Sequence, residues 1–297
     1  MNLHDLEAFL AVVETGSIVG AASRLHLTQP GITRRIQSLE ELLGTVLLDR
    51  QSKPLRPTTA GRETYAHGRR VLRAIDDLRA GLSADAEVGG EFRLGITPYL
   101  SEIALAEPID QLHREFPALV QRITTGWPAA MAEQCRRGEI DAAAFCLPEG
   151  TAPPDGLEAE DLGMQDILLV AARDLALPPA AALRDLAAYP WILNQDGCGF
   201  RSAIRQRLSA QRLPLRIGIE AHSTELRLSL VARGLGIGLA TPSALAHSAW
   251  RDALRVVEAE DFTPRVTAWL VHHTPASRLS RPLARLGEAL RAALQRA

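Results

Sequence analysis

The chain has 297 residues, 46% hydrophobic and 23% charged, a composition that supports about two folded cores and excludes a disordered or collagen-like chain. Its net charge of −2 argues for no nucleic-acid partner, yet between Arg24 and Arg56 six basic residues (Arg24, Arg34, Arg35, Arg50, Lys53, Arg56) stand against three acidic ones (Glu40, Glu41, Asp49), a local +3 that leaves −5 elsewhere. Met1 to Leu10 has no basic cluster or apolar run, no stretch has the roughly 18 uncharged apolar residues of a membrane span, and Cys135, Cys146 and Cys198 are too scattered for a disulfide framework or zinc cage; no leader, anchor, metal or cofactor is expected, and a reducing cytoplasm is the simplest compartment.

Leu3, Leu6, Leu10 and Val13 recur at helical spacing with Phe9 alongside, which predicts an amphipathic helix to Glu14. Gly16 ends it, and Ser17 caps a short helix from Ile18 to Leu25 whose Ala21-Ala22 pair allows close packing. Thr28 is a good N-cap and Pro30 costs no hydrogen bond in a first turn, so a third helix is predicted from Gln29 to Leu43, stopped by Gly44. Its apolar face is Ile32, Ile36, Leu39 and Leu43. Its other face carries Gln29, Thr33, Arg34, Gln37 and Ser38. Val46-Leu47-Leu48 and Leu55-Arg56-Pro57, joined through Gln51-Ser52-Lys53-Pro54, read as a hairpin with a basic tip that holds the chain's single lysine. Thr58 caps a long helix from Thr59 to about Ala84, in which Val71, Ile75, Leu78 and Leu82 form a coiled-coil seam. About 26 helical residues span roughly 39 Å, more than a small head can bury, so a second chain is expected against this seam. Gly89-Gly90 reads as a hinge.

Beyond the hinge, strands are predicted at Phe92–Ile96, Leu119–Thr124 and Ala142–Cys146, with helices around Ile103–Phe116 and Ala129–Arg137 between them. The pattern restarts at Ile167–Ala172, with strands near Trp191–Leu193, Ile217–Glu220, Ile237–Ala240 and Val266–His272 and a closing helix from Leu283 to Leu294. Strands alternating with helices imply parallel sheets, here in two α/β lobes. Gly234-Leu235-Gly236-Ile237-Gly238 lacks the rest of a dinucleotide fingerprint and reads as part of a buried strand. No phosphate loop, zinc-protease motif or nucleophile elbow is present, so an enzyme has no evident reacting group.

The polar face of the third helix suits base recognition. Arg34 has the reach for guanine O6 and N7, Gln29 or Gln37 for adenine, and Thr33 for a thymine methyl or a phosphate. Lys53 and Arg56 would grip phosphates, which fixes register without reading sequence. An ordinary solvated helix face carries the same residue types.

From Leu3 to Gly61 the chain resembles the DNA-binding head of the LysR-type transcriptional regulators. The resemblance rests on Leu6-Glu7-Ala8-Phe9, Gly16-Ser17, Ala21-Ala22, Arg24-Leu25, Thr28-Gln29-Pro30, Arg34-Arg35-Ile36, Leu39-Glu40, Leu42-Leu43-Gly44, Leu47, Arg50 and Arg56-Pro57-Thr58-Thr59-Ala60-Gly61. Gly138-Glu139-Ile140-Asp141 and Leu230 to Pro242 extend it loosely into the rest. Ile18-Val19-Gly20, Gly31 and Leu48 depart from the family pattern without removing a DNA-facing group.

The resemblance implies an N-terminal all-α winged helix-turn-helix (1–58), a linker dimerisation helix and hinge (59–90), and a C-terminal α/β two-lobed domain like periplasmic binding proteins of type 2 (91–297). Lobe I would hold 91–162 and 266–297, and lobe II 163–265. The implied DNA contacts are Thr28, Gln29, Pro30, Thr33, Arg34, Gln37 and Ser38 on the helix and Arg50, Lys53 and Arg56 on the wing. A small-molecule effector would sit between the lobes, lined by Thr97, Pro98, Tyr99, Thr125, Trp127, Phe145 and Cys146 on one side and Gly199, Phe200, His222, Thr241 and Pro242 on the other. Homodimers assembling to a tetramer on dyad-symmetric double-stranded DNA, with RNA polymerase as a further partner, complete the picture. A redox sensor using Cys198, or an architectural DNA binder without a ligand, are the alternatives.

Overall fold

The computed structural model describes residues 2–81, 88–178, 181–273 and 277–296, and its contacts divide the chain into two compact units, one centred on residues 1–86 and one on most of the remainder.

The first unit is a small helical head. Helix α1 (Leu3–Thr15) starts where Asn2 Oδ1 accepts from His4 N and ends at Gly16 in the left-handed region. Helix α2 (Ile18–Arg24) is capped by Ser17, and α3 (Gln29–Leu43) by Thr28, whose Oγ1 accepts from Gly31 N at 3.2 Å. Phe9, Val12, Ile32 and Leu47 are completely buried, with Leu6, Ile36 and Leu39 nearly so. Two-residue strands β1 (Leu48–Asp49) and β2 (Arg56–Pro57) pair antiparallel and form the wing. Leu55 N donates to Gly16 O at 2.9 Å, so the wing is tied to the turn between α1 and α2. Helix α4 (Thr59–Gly81) docks on α1 at Gly68, where a Cβ would stand 2.6 Å from Leu6 Cδ1. Glu14 fastens the same joint: it pairs with Arg24 of α2 and accepts from Tyr65 Oη and Arg69 Nη1 of α4.

The second unit contains two five-stranded sheets. Its elements are β3 (Gly90–Ile96), α5 (Pro98–Ala104), α6 (Ala106–Glu115), β4 (Leu119–Thr125), α7 (Pro128–Arg136), β5 (Ala142–Pro148), β6 (Glu158–Asp166), β7 (Leu168–Ala172), α8 (Leu183–Leu186), β8 (Trp191–Leu193), α9 (Gly199–Ala210), β9 (Ile217–Glu220), α10 (Thr224–Ala232), β10 (Ile237–Ala240), α11 (Pro242–His247), β11 (Leu254–Val257), β12 (Arg265–His272) and α12 (Ser277–Arg296). Lobe I has strand order β4-β3-β5-β12-β6 and lobe II β11-β7-β10-β8-β9.

The sheets are mixed where the alternation predicted parallel ones. β3 pairs parallel with β4 and β5, but β12 runs antiparallel to β5 and β6, and β7 antiparallel to β10 and β11. The antiparallel strands are those on which the chain crosses between lobes. Because β6 stays in the lobe I sheet as far as Asp166, opposite Arg265, lobe I reaches residue 166 and not 162. The helical stretch before Phe116 is two helices broken at Leu105, with Pro108 tolerated in the first turn of the second.

One continuous core joins the inner faces of both sheets and includes Phe92, Ile96, Leu270 and Trp191. Trp191 is fully buried and its indole N–H has no acceptor among the described residues. Urea unfolding of Trp191→Ala should therefore show a loss of about 3–5 kcal/mol from the cavity, and Trp191→Phe a smaller one because no hydrogen bond goes with the ring.

Candidate functional site

The head buries one side of α3 and exposes the other. Ile32, Ile36 and Leu39 pack inward, while Gln29, Pro30, Arg34, Gln37 and Ser38 are exposed on the opposite side. Among the described residues the side chains of Gln29, Arg34 and Gln37 have no partner, so their hydrogen-bonding groups stand in solvent, unused by the fold. Thr28 and Thr33 are occupied: Thr28 caps the helix, and Thr33 Oγ1 donates to Gln29 O at 3.0 Å. Ser38 Oγ donates to Asp5 Oδ2 at 3.2 Å, which ties it to α1. On the wing, Lys53 and Arg56 are exposed and their side-chain cations have no partner among the described residues. Arg50 is paired with Glu40 at 2.9 Å, and Glu40 also accepts from Leu47 N, so Arg50 braces the wing against α3.

Leu43, expected in the head's core, is 43% exposed, and Leu42 and Val46 are more so. It lines an apolar groove of about 390 Å³ with Leu6, Leu39, Ala60, Gly68 and Val71. Of the seam on α4, Val71 is 37% and Leu78 63% exposed, Ile75 is half-buried, and Leu82 lies outside the described residues.

In the second unit the lobes meet along several contacts. The Tyr99 ring, at the start of α5, lies 4.8 Å from Phe200 on α9, with Pro98 beside it. A Cβ on Gly199 would stand 2.2 Å from the Cys146 carbonyl oxygen. Trp127, following β4, stands parallel to His222 with ring centroids 6.5 Å apart and packs against Gly197. Thr224 Oγ1 donates to Glu102 Oε2 at 3.1 Å, from lobe II to lobe I. Thr97 is buried and its hydroxyl has no hydrogen-bond partner among the described residues. Burial, followed by the neighbouring Cys198, pushes the Cys146 thiol far above its usual pKa and holds it protonated.

Arg227 of α10, which no sequence motif singled out, is the main polar group behind this contact. It is only 6% exposed. Its Nη1 donates to Asn194 Oδ1, Ala221 O and His222 O, and its Nη2 to Thr224 Oγ1. All four acceptors are neutral, and no described carboxylate lies within 4 Å. Burial lowers its pKa below the usual arginine value. Its charge, in a poorly solvated place, is shared by these neutral acceptors and opposed at longer range by the Glu102 carboxylate, which accepts from the same Thr224 hydroxyl.

The family model for the bacterial regulatory helix-turn-helix protein, lysR family, matches residues 3–62, and that for the LysR substrate binding domain matches residues 85–295. The chain belongs to the LysR family. It is a DNA-binding transcriptional regulator with a C-terminal effector-binding domain. Among curated LysR-type relatives, the nitrogen assimilation regulatory protein nac of Klebsiella aerogenes is 26% identical over 246 residues, covering 82% of this chain and 79% of that protein. A full-length OxyR variant from Pseudomonas aeruginosa shares the fold with a TM-score of 0.78 at 20% identity, each chain covered to 98%. CbnR solved in complex with its target DNA does so with a TM-score of 0.63 at 23% identity, covering 99% of this chain and 100% of that one.

In this LysR-family chain the proposed effector residues do not form one lining. Thr97, Trp127, Cys146, Gly199 and His222 stand where the lobes meet. Tyr99 is shared: its ring faces Phe200 while its hydroxyl reaches Gln165 Oε1 at 3.5 Å, beside Thr241 and Pro242 in a separate cavity. Thr125 is exposed at the end of β4. Phe145 is a correction. It is fully buried against α7 with Met131, Cys135 and Val271, because neighbours on a strand point to opposite faces and Cys146 already faces the other way.

Proposed function

We propose that this regulator grips a dyad-symmetric operator as a homodimer, placing one α3 per chain in successive major grooves, and that a small anion between the lobes changes how the dimers assemble. The observation that carries the DNA reading is the row of unpartnered Gln29, Arg34 and Gln37 opposite the buried Ile32, Ile36 and Leu39. A helix that needed those groups for folding would have paired them. Thr28 and Pro30 set the start of the helix, where its free N–H groups meet phosphate, and Lys53 and Arg56 supply counter-charges on the wing.

The occupant of the groove beside Val71 and Leu43 is the linker helix of a second copy. Exposed leucine and valine at heptad spacing on a helix docked along only part of its length ask for another such helix. Leu78→Arg is expected to yield monomers by sedimentation and to shrink an operator footprint to one half-site. Two such dimers would form the tetramer, with RNA polymerase as the partner that senses the assembly.

Arg227, whose one carboxylate neighbour, Glu102, reaches it only through Thr224, and the unsatisfied hydroxyl of Thr97 support an anionic effector, which would give the buried guanidinium a closer counter-charge and the hydroxyl an acceptor. Such a ligand acts only through binding one arrangement of the lobes better than the other. The buried, protonated Cys146 thiol weighs against a disulfide with Cys198 as the signal.

Footprinting on DNA upstream of the protein's own coding sequence, with salt varied and random DNA as competitor, tests the regulator reading. Protected half-sites that resist competition support it. Protection that falls equally on both DNAs as salt rises means phosphate contact alone.

A further inference from the structure

Between the lobes, Tyr99–Phe200 and Trp127–His222 are contacts of rings, whereas Thr224–Glu102 is a hydrogen bond. Thr224 Oγ1 donates to Glu102 Oε2 at 3.1 Å, and the same oxygen accepts from Arg227 Nη2 at 3.2 Å. Chemistry fixes the direction of this relay. A guanidinium has only donors and an ionised carboxylate only acceptors, so the hydroxyl between them must accept from Arg227 and donate to Glu102. The start of α10 does not need that hydroxyl, because Ser223 caps the helix with its Oγ accepting from Leu226 N. Thr224 is thus free to bridge.

The charges at the two ends stand in different surroundings. Arg227 is buried, and its Nη1 already donates to three neutral oxygens. Glu102, on α5 of lobe I, is exposed; among the described residues it has no cation within 4 Å and no partner but Thr224. Burial lowers the pKa of Arg227, and the Glu102 charge works against that lowering. Fixing an exposed glutamate costs side-chain freedom. What offsets the cost is a hydroxyl polarised by a poorly solvated cation, since hydrogen bonds in a chain strengthen one another. Glu102 therefore reaches across the lobes to answer a charge that lobe II buries without a carboxylate of its own beside it.

We propose that Glu102 is a tethered counter-ion of Arg227 that latches lobe I to lobe II through Thr224, and that a ligand carboxylate opens the latch by taking the Thr224 hydrogen bond for itself. A hydroxyl has one hydrogen to donate, so Thr224 serves Glu102 or the ligand and not both. Glu102 thereby sets the charge of the ligand. A neutral molecule gains less from the hydroxyl than the carboxylate it must displace, whereas an organic acid exchanges one charged hydrogen bond for another. The displacement rests on the anionic-effector reading of the same site; the latch does not.

The test labels the thiols of the full chain and reads each cysteine by mass spectrometry. Cys146 and Cys198 are buried at the lobe contact, and Cys135, buried against Val271 within lobe I, is the internal control. Glu102→Ala and Thr224→Val are each expected to speed labelling of Cys146 and Cys198 about tenfold, the loss of one charged hydrogen bond, with Cys135 unchanged. Thr224→Ser, which keeps the hydroxyl, is expected to label like the wild type. Wild-type protection in Glu102→Ala, or a Thr224→Ser as open as Thr224→Val, overturns the latch. Glu102→Gln keeps an acceptor for Thr224 and removes the charge. At constant ionic strength, acetate is expected to raise the melting temperature of this variant at about one tenth of the concentration that the wild type needs. Equal concentrations overturn the counter-ion. Fast labelling in Glu102→Ala with no effect of acetate on either protein removes the anionic effector and keeps the latch.

Discussion

Arg34→Ala is expected to weaken operator binding by about 1–3 kcal/mol, roughly 5- to 150-fold, while leaving affinity for random DNA nearly unchanged. The asymmetry follows from what Arg34 does not do in the fold. Its guanidinium is exposed and unpartnered, and α3 is held by its Thr28 cap and its buried isoleucines, so the helix survives the substitution. Lys53→Ala should behave in the opposite way: a similar loss on every sequence and a salt dependence shallower by about one counter-ion. Competition binding at two salt concentrations distinguishes them. Equal losses on operator and random DNA for Arg34→Ala would make it a phosphate contact.

Gly199→Ala is expected to part the two lobes. The added Cβ would meet the Cys146 carbonyl oxygen at 2.2 Å and its carbon at 2.9 Å, and these are backbone atoms of a central strand that no rotamer change can move. β5 belongs to lobe I and α9 to lobe II, so the lobes themselves must give way. Cys146 and Cys198, both buried at that contact, then become open to a thiol reagent. Modification at least about tenfold faster than in the wild type is the expected reading, since reactivity follows access and thiolate content. DNA binding by the head should persist while the effector response disappears. Thiols that stay as protected as in the wild type would show that the lobes absorb the methyl group.

The head was legible because its punctuation is local. Ser17 and Thr28 cap, Gly16 and Gly44 stop, and the predicted third helix has the observed bounds, Gln29–Leu43. The error there, Leu43, arose because periodicity marks an apolar face without saying whether this chain or another covers it. The effector domain was less legible for three physical reasons. β6 has no apolar run, since it is an edge strand in which only Leu162 is buried, so Glu158–Asp166 carried no strand signal. The opposite aims of Phe145 and Cys146 depend on which strand face the core takes, a tertiary fact. Arg227 lies in a segment that the sequence analysis left unassigned, and only the chain folding back over Asn194, Ala221 and His222 buries it.

The position of Lys53 has a chemical consequence. It is the chain's one lysine and stands exposed on the wing. An acylating reagent selective for amines therefore has a single side-chain target, and side-chain acetylation by any route would act on the wing alone, removing the charge proposed to meet phosphate and leaving the arginines of α3 untouched.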